Sequence, residues 1–127
     1  MGRYKVTRDK ADDLFSKWIR LRDKCCKRCH SSVKINHKGL PVTHQASHFV
    51  GRRKESTRYD PLNVDTLCGA CHMYFTSHPA EHYLWQVQTK GLATVEALVL
   101  AGNTYKKKDR AAEAVYWQTK LREDFGI

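Results

Sequence analysis

Four cysteines in this chain form two pairs with the spacing of a metal-binding knuckle. Cys26 and Cys29 make the first C-x2-C pair, and Cys68 and Cys71 make the second. Two such pairs supply the four thiolates that a tetrahedral Zn²⁺ takes in structural sites. Cys25 is an alternative to Cys26, because a C-x3-C spacing is also permitted; we favour Cys26, which makes both knuckles the same length. We therefore predict a structural zinc site, with buried free thiols as the alternative.

Two histidines and an asparagine surround the second pair. His48 lies near the end of a predicted strand, Asn63 precedes the second knuckle, and His72 directly follows it. A neutral imidazole can take a proton from an attacking water, and a divalent cation can stabilise a phosphodiester and its leaving oxygen. His48 therefore suits a general base, and His72 suits a ligand of a catalytic Mg²⁺ or Mn²⁺. Asn63 can either orient the imidazole or bind the cation through its amide oxygen.

His48, Asn63 and residues 68–72 (CGACH) together resemble the HNH, or ββα-metal, endonuclease motif in its zinc-stapled subtype. By this resemblance, His48 is the general base, Asn63 is its positioning partner or a metal ligand, and His72 binds the catalytic cation. The resemblance also implies a hairpin carrying His48, a loop carrying Asn63 and a helix that begins near Cys71.

The chain departs from that motif directly before its first histidine. Many HNH enzymes have an acidic cation ligand there, whereas this chain has Ser47. Another side chain would then have to complete the cation site. Four candidates lie nearby in the sequence, and each also suits an ordinary surface or capping role: His44, Asp65, His78 and His82.

Three further segments are similar to the NinG-like, or Rap, phage recombination nucleases: residues 19–23 (IRLRD), 46–49 (ASHF) and 58–63 (RYDPLN). The similarity covers about residues 14–92. It implies a DNA endonuclease that acts on branched recombination intermediates in the host cytoplasm. Symmetric cleavage of a four-way junction needs two active sites, so a homodimer is a further expectation.

The charge of the chain favours a polyanionic partner. It has 23 Lys and Arg residues against 13 Asp and Glu residues, for a net charge of +10. Each phosphate that Lys or Arg neutralises releases counterions and strengthens binding. Four basic residues between the halves of the predicted site would contact phosphates without reading bases: Arg52, Arg53, Lys54 and Arg58. A second basic segment, residues 106–108 with Arg110, is either another nucleic-acid contact or a solvated linker.

The cysteines and the hydropathy indicate a soluble protein of a reducing compartment. Five cysteines would leave one thiol unpaired in a disulfide scaffold, whereas C-x2-C pairs are typical of intracellular metal sites. The sequence has neither the apolar run of a signal peptide near its start nor the roughly 18 apolar residues that cross a bilayer. We therefore expect a cytoplasmic location.

The elements that would position these residues predict an α+β fold. We expect one domain over residues 1–127, with a small zinc-stabilised ββα-metal core at about 24–90. A helix at about 9–24, capped by Asp9, precedes the core, and a helical extension at about 92–124 follows it.

Two strands are predicted to carry the candidate base. Residues 33–36 and 42–49 would pair through a turn at 37–39, and residues 63–67 would be extended. Side-chain alternation along the second strand places three residues on one face: His44, Ala46 and His48.

The second half of the chain has helical periodicity. A helix would begin at Pro79 and end at Gly91, and two more would cover about 94–101 and 109–123. The predicted buried stripe of the first comprises Tyr83, Leu84 and Val87. Trp85 and Trp117 would either stack on unpaired bases or belong to the core.

Two other function classes stay open. A non-catalytic zinc module that binds nucleic acid would explain Ser47 as the mark of a lost cation site. A zinc-stapled protein-interaction domain predicts no salt-sensitive affinity for DNA.

Overall fold

The computed structural model describes residues 8–127 and confirms an α+β architecture. Its elements, in chain order, are α1 (Lys10–Asp23), β1 (Gln45–His48), α2 (Glu55–Arg58), a 3-10 turn (Pro61–Asn63), β2 (Val64–Leu67), α3 (Gly69–Ser77), α4 (Pro79–Lys90), α5 (Leu92–Asn103) and α6 (Arg110–Phe125). Within residues 8–127, no helix is both long enough and apolar enough to cross a membrane.

Helix α1 matches the predicted helix and has well-formed ends. The Asp9 carboxylate accepts the backbone N–H of Asp12, and the Asp12 carboxylate accepts the N–H of Asp9, which makes a capping box. At the other end, Lys24 takes a left-handed conformation with φ of 65°. Between these caps, Phe15 and Ile19 are buried in the core.

The sheet is shorter than predicted. Strands β1 and β2 pair antiparallel, with Ser47 opposite Asp65 and His48 opposite Val64. Residues 33–43 form no regular strand pair, and the bridge between Ile35 and Pro41 is isolated. Proline has no N–H to donate to a ladder, and the Asn36 side chain accepts two backbone N–H groups of the intervening turn, which favours a local turn over a strand.

The predicted common face of His44, Ala46 and His48 is therefore wrong for His44. His44 has a φ of 67°, in the left-handed region, so regular strand geometry begins only after it. The side chains of Ala46 and His48 do alternate with that of Ser47, which is buried.

The N-terminal and C-terminal helices share one core. Helix α6 packs along α1, and the indole of Trp117 lies 4.7 Å from the ring of Phe15 between ring centroids. Tyr59 and Val64 complete this cluster. Trp117 is therefore a core residue rather than a stacking platform for bases.

The buried side of α4 differs from the prediction. The side chains of Tyr83 and Leu84 are 39% and 58% exposed, whereas Gln86 is fully buried. Gln86 is buried because it donates a hydrogen bond of 2.9 Å to the carboxylate of Asp65 on β2. A polar residue therefore occupies the position on α4 that packs against the sheet.

Candidate functional site

The four predicted zinc ligands converge. The Sγ atoms of Cys26, Cys29, Cys68 and Cys71 all lie within 4.8 Å of one another. Zinc–sulfur bonds of about 2.3 Å in a tetrahedron put neighbouring sulfurs about 3.8 Å apart. The observed separation of the Cys29 and Cys68 sulfurs is 3.7 Å. The donor set and its dimensions therefore fit a four-thiolate structural zinc ion.

The two knuckles have matching local geometry. The Cys26 sulfur accepts the backbone N–H of Cys29, and the Cys68 sulfur accepts that of Cys71, both at 3.4 Å. Cys25 is outside the four-sulfur cluster, and its backbone pairs with Ser32 instead. The structure thus favours Cys26 over Cys25 as the ligand, as the equal knuckle lengths predicted.

A cationic side chain lies beside the sulfurs of the cluster. Without a metal, burial raises the pKa of the Cys71 thiol to about 12, whereas coordination to a divalent cation deprotonates a thiol outright. The guanidinium of Arg28 donates to the Cys71 sulfur at 3.4 Å and lies over the ring of Tyr74, 4.2 Å from its centroid. Four thiolates around Zn²⁺ carry a net negative charge, which this guanidinium partly offsets.

His48 lies at the end of β1, as predicted, and is held in a defined tautomer. Its Nε2 donates a 2.8 Å hydrogen bond to the backbone carbonyl of Arg58, so Nδ1 carries the lone pair. Burial lowers the pKa of His48 to about 4, against a smaller raising effect of that carbonyl. The ring is therefore neutral at pH 7 and able to accept a proton.

Asn63 does not have the form of a cation ligand. It is fully buried, and its amide oxygen accepts the backbone N–H of Val50 at 2.7 Å. Its amide nitrogen donates to the carbonyls of Val50 and Thr57, at 2.8 and 3.1 Å. Because this oxygen is buried and already accepts a hydrogen bond, the geometry favours the positioning role over the predicted alternative of cation binding. Asn63 instead fixes the loop that presents the Arg58 carbonyl to His48.

His72 lies in the first turn of α3, directly after the second knuckle. Its Nδ1 donates to the side-chain oxygen of Gln45 on β1, which leaves Nε2 with the lone pair that can bind a cation. Burial lowers the pKa of His72. His72 and His48 line one cavity of about 530 Å³, so the structure brings the two predicted histidines together.

A complete ligand set for a second cation is not assembled around His72. Within residues 8–127, the four cysteines are the one group of three or more potential ligands close enough to share an ion. The side chains proposed to replace the acid missing at Ser47 have other partners. Asp65 pairs with Lys90 at 2.8 Å, and His82 accepts a hydrogen bond from Gln86.

The other two candidates are likewise engaged. The ring of His44 contacts the side chains of Ser31 and Thr43, at 3.0 and 2.9 Å. His78 is exposed and stacks on Tyr74, with ring centroids 4.2 Å apart. These contacts fit ordinary structural roles for both histidines, although His44 does line the cavity.

The predicted phosphate contacts divide into two groups. Arg52 lines the cavity, and Arg53 and Lys54 are exposed beside it. Arg58 does not fit the prediction, because it is 2% exposed and its Nε donates to the Asp12 carboxylate at 2.9 Å. Burial raises the pKa of Asp12, but the hydrogen bonds and charge of Arg58 outweigh it and leave that pKa at about 2.

Two residues to which the sequence assigned no role shape the cavity. Gln45 orients His72, and Arg20 lines the wall while donating to the backbone carbonyl of Thr43 at 3.2 Å. Arg20 belongs to the segment 19–23 that carries the family resemblance, whereas Gln45 lies outside the resembling segments. Their contacts depend on the register of β1 and on how the loop after residue 40 crosses α1.

Comparison of the chain with family models, with curated proteins and with solved structures found no match. The fold and the site on their own define an α+β protein with a four-cysteine cluster that can hold a metal ion such as zinc. A cavity lined by His44, His48 and His72 lies beside the first turn of the helix that follows the second knuckle.

Proposed function

We propose that this protein is a metal-dependent endonuclease of the HNH type that hydrolyses DNA phosphodiester bonds. The observation that carries the proposal is the shared cavity of His48 and His72, one on a strand and the other on the helix that follows the zinc knuckle. The antiparallel pair β1–β2 followed by α3 agrees with the hairpin and helix that the resemblance implies.

In this proposal His48 takes a proton from the water that attacks phosphorus. Its neutral ring and its fixed tautomer leave Nδ1 available for that proton. Mg²⁺ or Mn²⁺ would supply stabilisation of the phosphate charge and the leaving oxygen. His72 offers a nitrogen ligand to this cation, but the residues that the structure describes do not assemble the remaining protein ligands.

The substrate is DNA held mainly through its phosphates. Arg52 at the cavity, with Arg53 and Lys54 beside it, gives the site entrance a positive charge. Phosphate contacts position a nucleic acid without reading its bases. We therefore propose structure-directed or weakly selective cutting, and the narrower similarity to phage recombination nucleases points to branched DNA, with a homodimer as the corresponding assembly.

A non-catalytic zinc-stabilised nucleic-acid-binding module is the second candidate. Ser47 in place of the acidic ligand and the incomplete ligand set near His72 favour it. Under this alternative the four-cysteine cluster and the basic residues keep their roles, whereas the two histidines have none in catalysis.

Nicking of a supercoiled plasmid distinguishes the two. The nuclease proposal predicts cleavage that requires Mg²⁺ or Mn²⁺, loss of cleavage in His48→Ala, and a higher cation requirement in His72→Ala. His37→Ala, at an exposed turn position, is the matched control and should cut like the wild type. If all four proteins bind DNA and none cuts linear, supercoiled or four-way substrates with either cation, the binding module is the correct account.

A further inference from the structure

The basic loop after β1 and the basic segment before α6 are distant in sequence but meet in space. Helix α5 ends against the loop, where a Cβ built on Gly102 would lie 2.7 Å from Val50 and 3.8 Å from the Cβ of Lys54. The side chain of Ser56 also donates to the carbonyl of Ala101. The chain therefore leaves α5 directly beside the loop that borders the cavity.

Glu55 fixes the segment that follows. Its carboxylate accepts the backbone N–H of Lys108 at 3.4 Å and binds the guanidinium of Arg110. Arg110 also pairs with Asp9, and although burial opposes it, the hydrogen bonds that Arg110 donates to these two carboxylates raise its pKa. Arg110 is thus an anchor, which differs from both the nucleic-acid contact and the solvated linker that the sequence left open.

With Glu55 engaged, the surface around it is left with an excess of positive charge. In the part of the chain that the structure describes, Lys54, Lys106 and Lys107 are exposed and pair with no carboxylate. Arg52 at the cavity and Lys108 beside Glu55 extend this charge at its two ends.

We propose that residues 52–54 and 106–108 form one basic surface that binds the phosphate backbone of duplex DNA beside the cavity. The choice of DNA rests on the proposed function, and the continuity with Arg52 supports it, because a strand that reaches His48 passes this arginine. The surface would hold the duplex flanking the cut, so affinity depends on DNA that extends past the cavity.

The salt dependence of binding tests the proposal. Each phosphate contact lowers the slope of log K against log salt by about 0.9 on B-form DNA. The variant Lys106→Gln with Lys107→Gln should therefore flatten the slope by about 1.8 and weaken binding by at least about ten-fold near 0.1 M salt. Anisotropy titrations without added Mg²⁺ or Mn²⁺ measure binding separately from cutting.

The matched control removes the same charge far from residues 106–108. Lys34 and Lys38 are exposed on a turn whose Gly39 lies against Ile127, where a Cβ on Gly39 would be 3.7 Å away. Because α6 has 16 residues, this turn is roughly 24 Å from the start of that helix. Lys34→Gln with Lys38→Gln should keep the wild-type slope.

Equal slopes for the two double variants would overturn the proposal, whether both slopes are flatter than that of the wild type or neither is. A flattened slope in the first variant alone supports it, and this holds even if no protein cuts DNA, in which case only the proposed nuclease activity fails. If the wild type cuts DNA but the two double variants have equal slopes, the proposed surface fails and the proposed nuclease activity stands. The four substituted lysines, at positions 34, 38, 106 and 107, are all exposed. Both double variants should therefore fold like the wild type, which circular dichroism checks.

Discussion

The four-cysteine cluster and the histidine cavity share the first turn of α3, yet they are built in different ways. The cluster takes all of its ligands from two C-x2-C knuckles, each closed by its own N–H···S hydrogen bonds. The cavity takes His48 from β1, His72 from α3 and its wall from α1. One site is therefore set by local spacing, and the other is set by how separate elements pack.

This difference separates stability from chemistry. A closed four-thiolate site holds a metal without leaving an open position for substrate. The cavity is open, and its His48 and His72 rings each have one nitrogen held by a hydrogen bond. We expect loss of the cluster to prevent folding, whereas changes at the cavity should cost less stability and, at His48 and His72, act on activity.

The largest expected effect is the loss of the cluster. Cys68→Ser should prevent stable folding, because zinc binding to such modules supplies on the order of 10 kcal/mol of folding free energy. Zinc content and thermal unfolding measure this, and Cys25→Ser, outside the cluster, should retain the metal and the stability. A stable, metal-free Cys68→Ser protein would show that the cluster is not the structural centre of the fold.

The next largest effect belongs to the cavity wall. Asp12→Asn would remove the carboxylate closest to the buried guanidinium of Arg58 and leave Glu55, at 3.4 Å, as its remaining acidic partner among residues 8–127. It should destabilise the fold by about 3–5 kcal/mol. Asp13→Asn is the control, because Asp13 is about half exposed and pairs with exposed Arg8, and it should cost less than about 1 kcal/mol. Equal losses in chemical denaturation would contradict the buried role of Asp12.

The smallest effect is a pH dependence due to His48. Its folded pKa of about 4 lies below its unfolded value of about 6.5, so the unfolded chain binds the extra proton between these values. Stability from His48 is complete above about pH 6.5 and declines as pH falls toward 4, by at most roughly 3 kcal/mol. His48→Gln should lose less stability over this range than the wild type; parallel profiles would place His48 in contact with solvent.

The sequence predicts the cysteine cluster better than the cavity, because the cluster depends on local spacing and the cavity depends on packing. The cysteine spacing fixes the knuckles, and Asp9, Pro79 and Gly91 mark helix ends that the structure confirms. The predicted turn at residues 37–39 is present, but its flanks pair through one isolated bridge, between Ile35 and Pro41, instead of through regular strands. The Asn36 side chain takes two N–H groups of the turn, which pattern alone does not weigh. Local rules therefore suffice for caps and knuckles but not for pairing.

The roles of the arginines and of Asn63 needed the packed structure. Arg58 belongs to the resembling segment 58–63, but residue type and charge alone do not show that it is buried against Asp12 while Arg53 is exposed. Asn63 is correctly placed near His48, but its amide binds the backbone of residues 50 and 57 rather than facing the cavity. Contacts between residues more than forty positions apart, such as Arg58 with Asp12, depend on helix packing.

The most direct test of the account is the single-turnover rate of plasmid cleavage by His48→Ala relative to His37→Ala, with both proteins shown to hold one zinc per chain. Loss of a general base predicts a rate lower by about 10² to 10⁴ in His48→Ala at unchanged DNA affinity. Equal rates in the two variants would contradict His48 as the base and, with it, the assignment of the cavity as the active site.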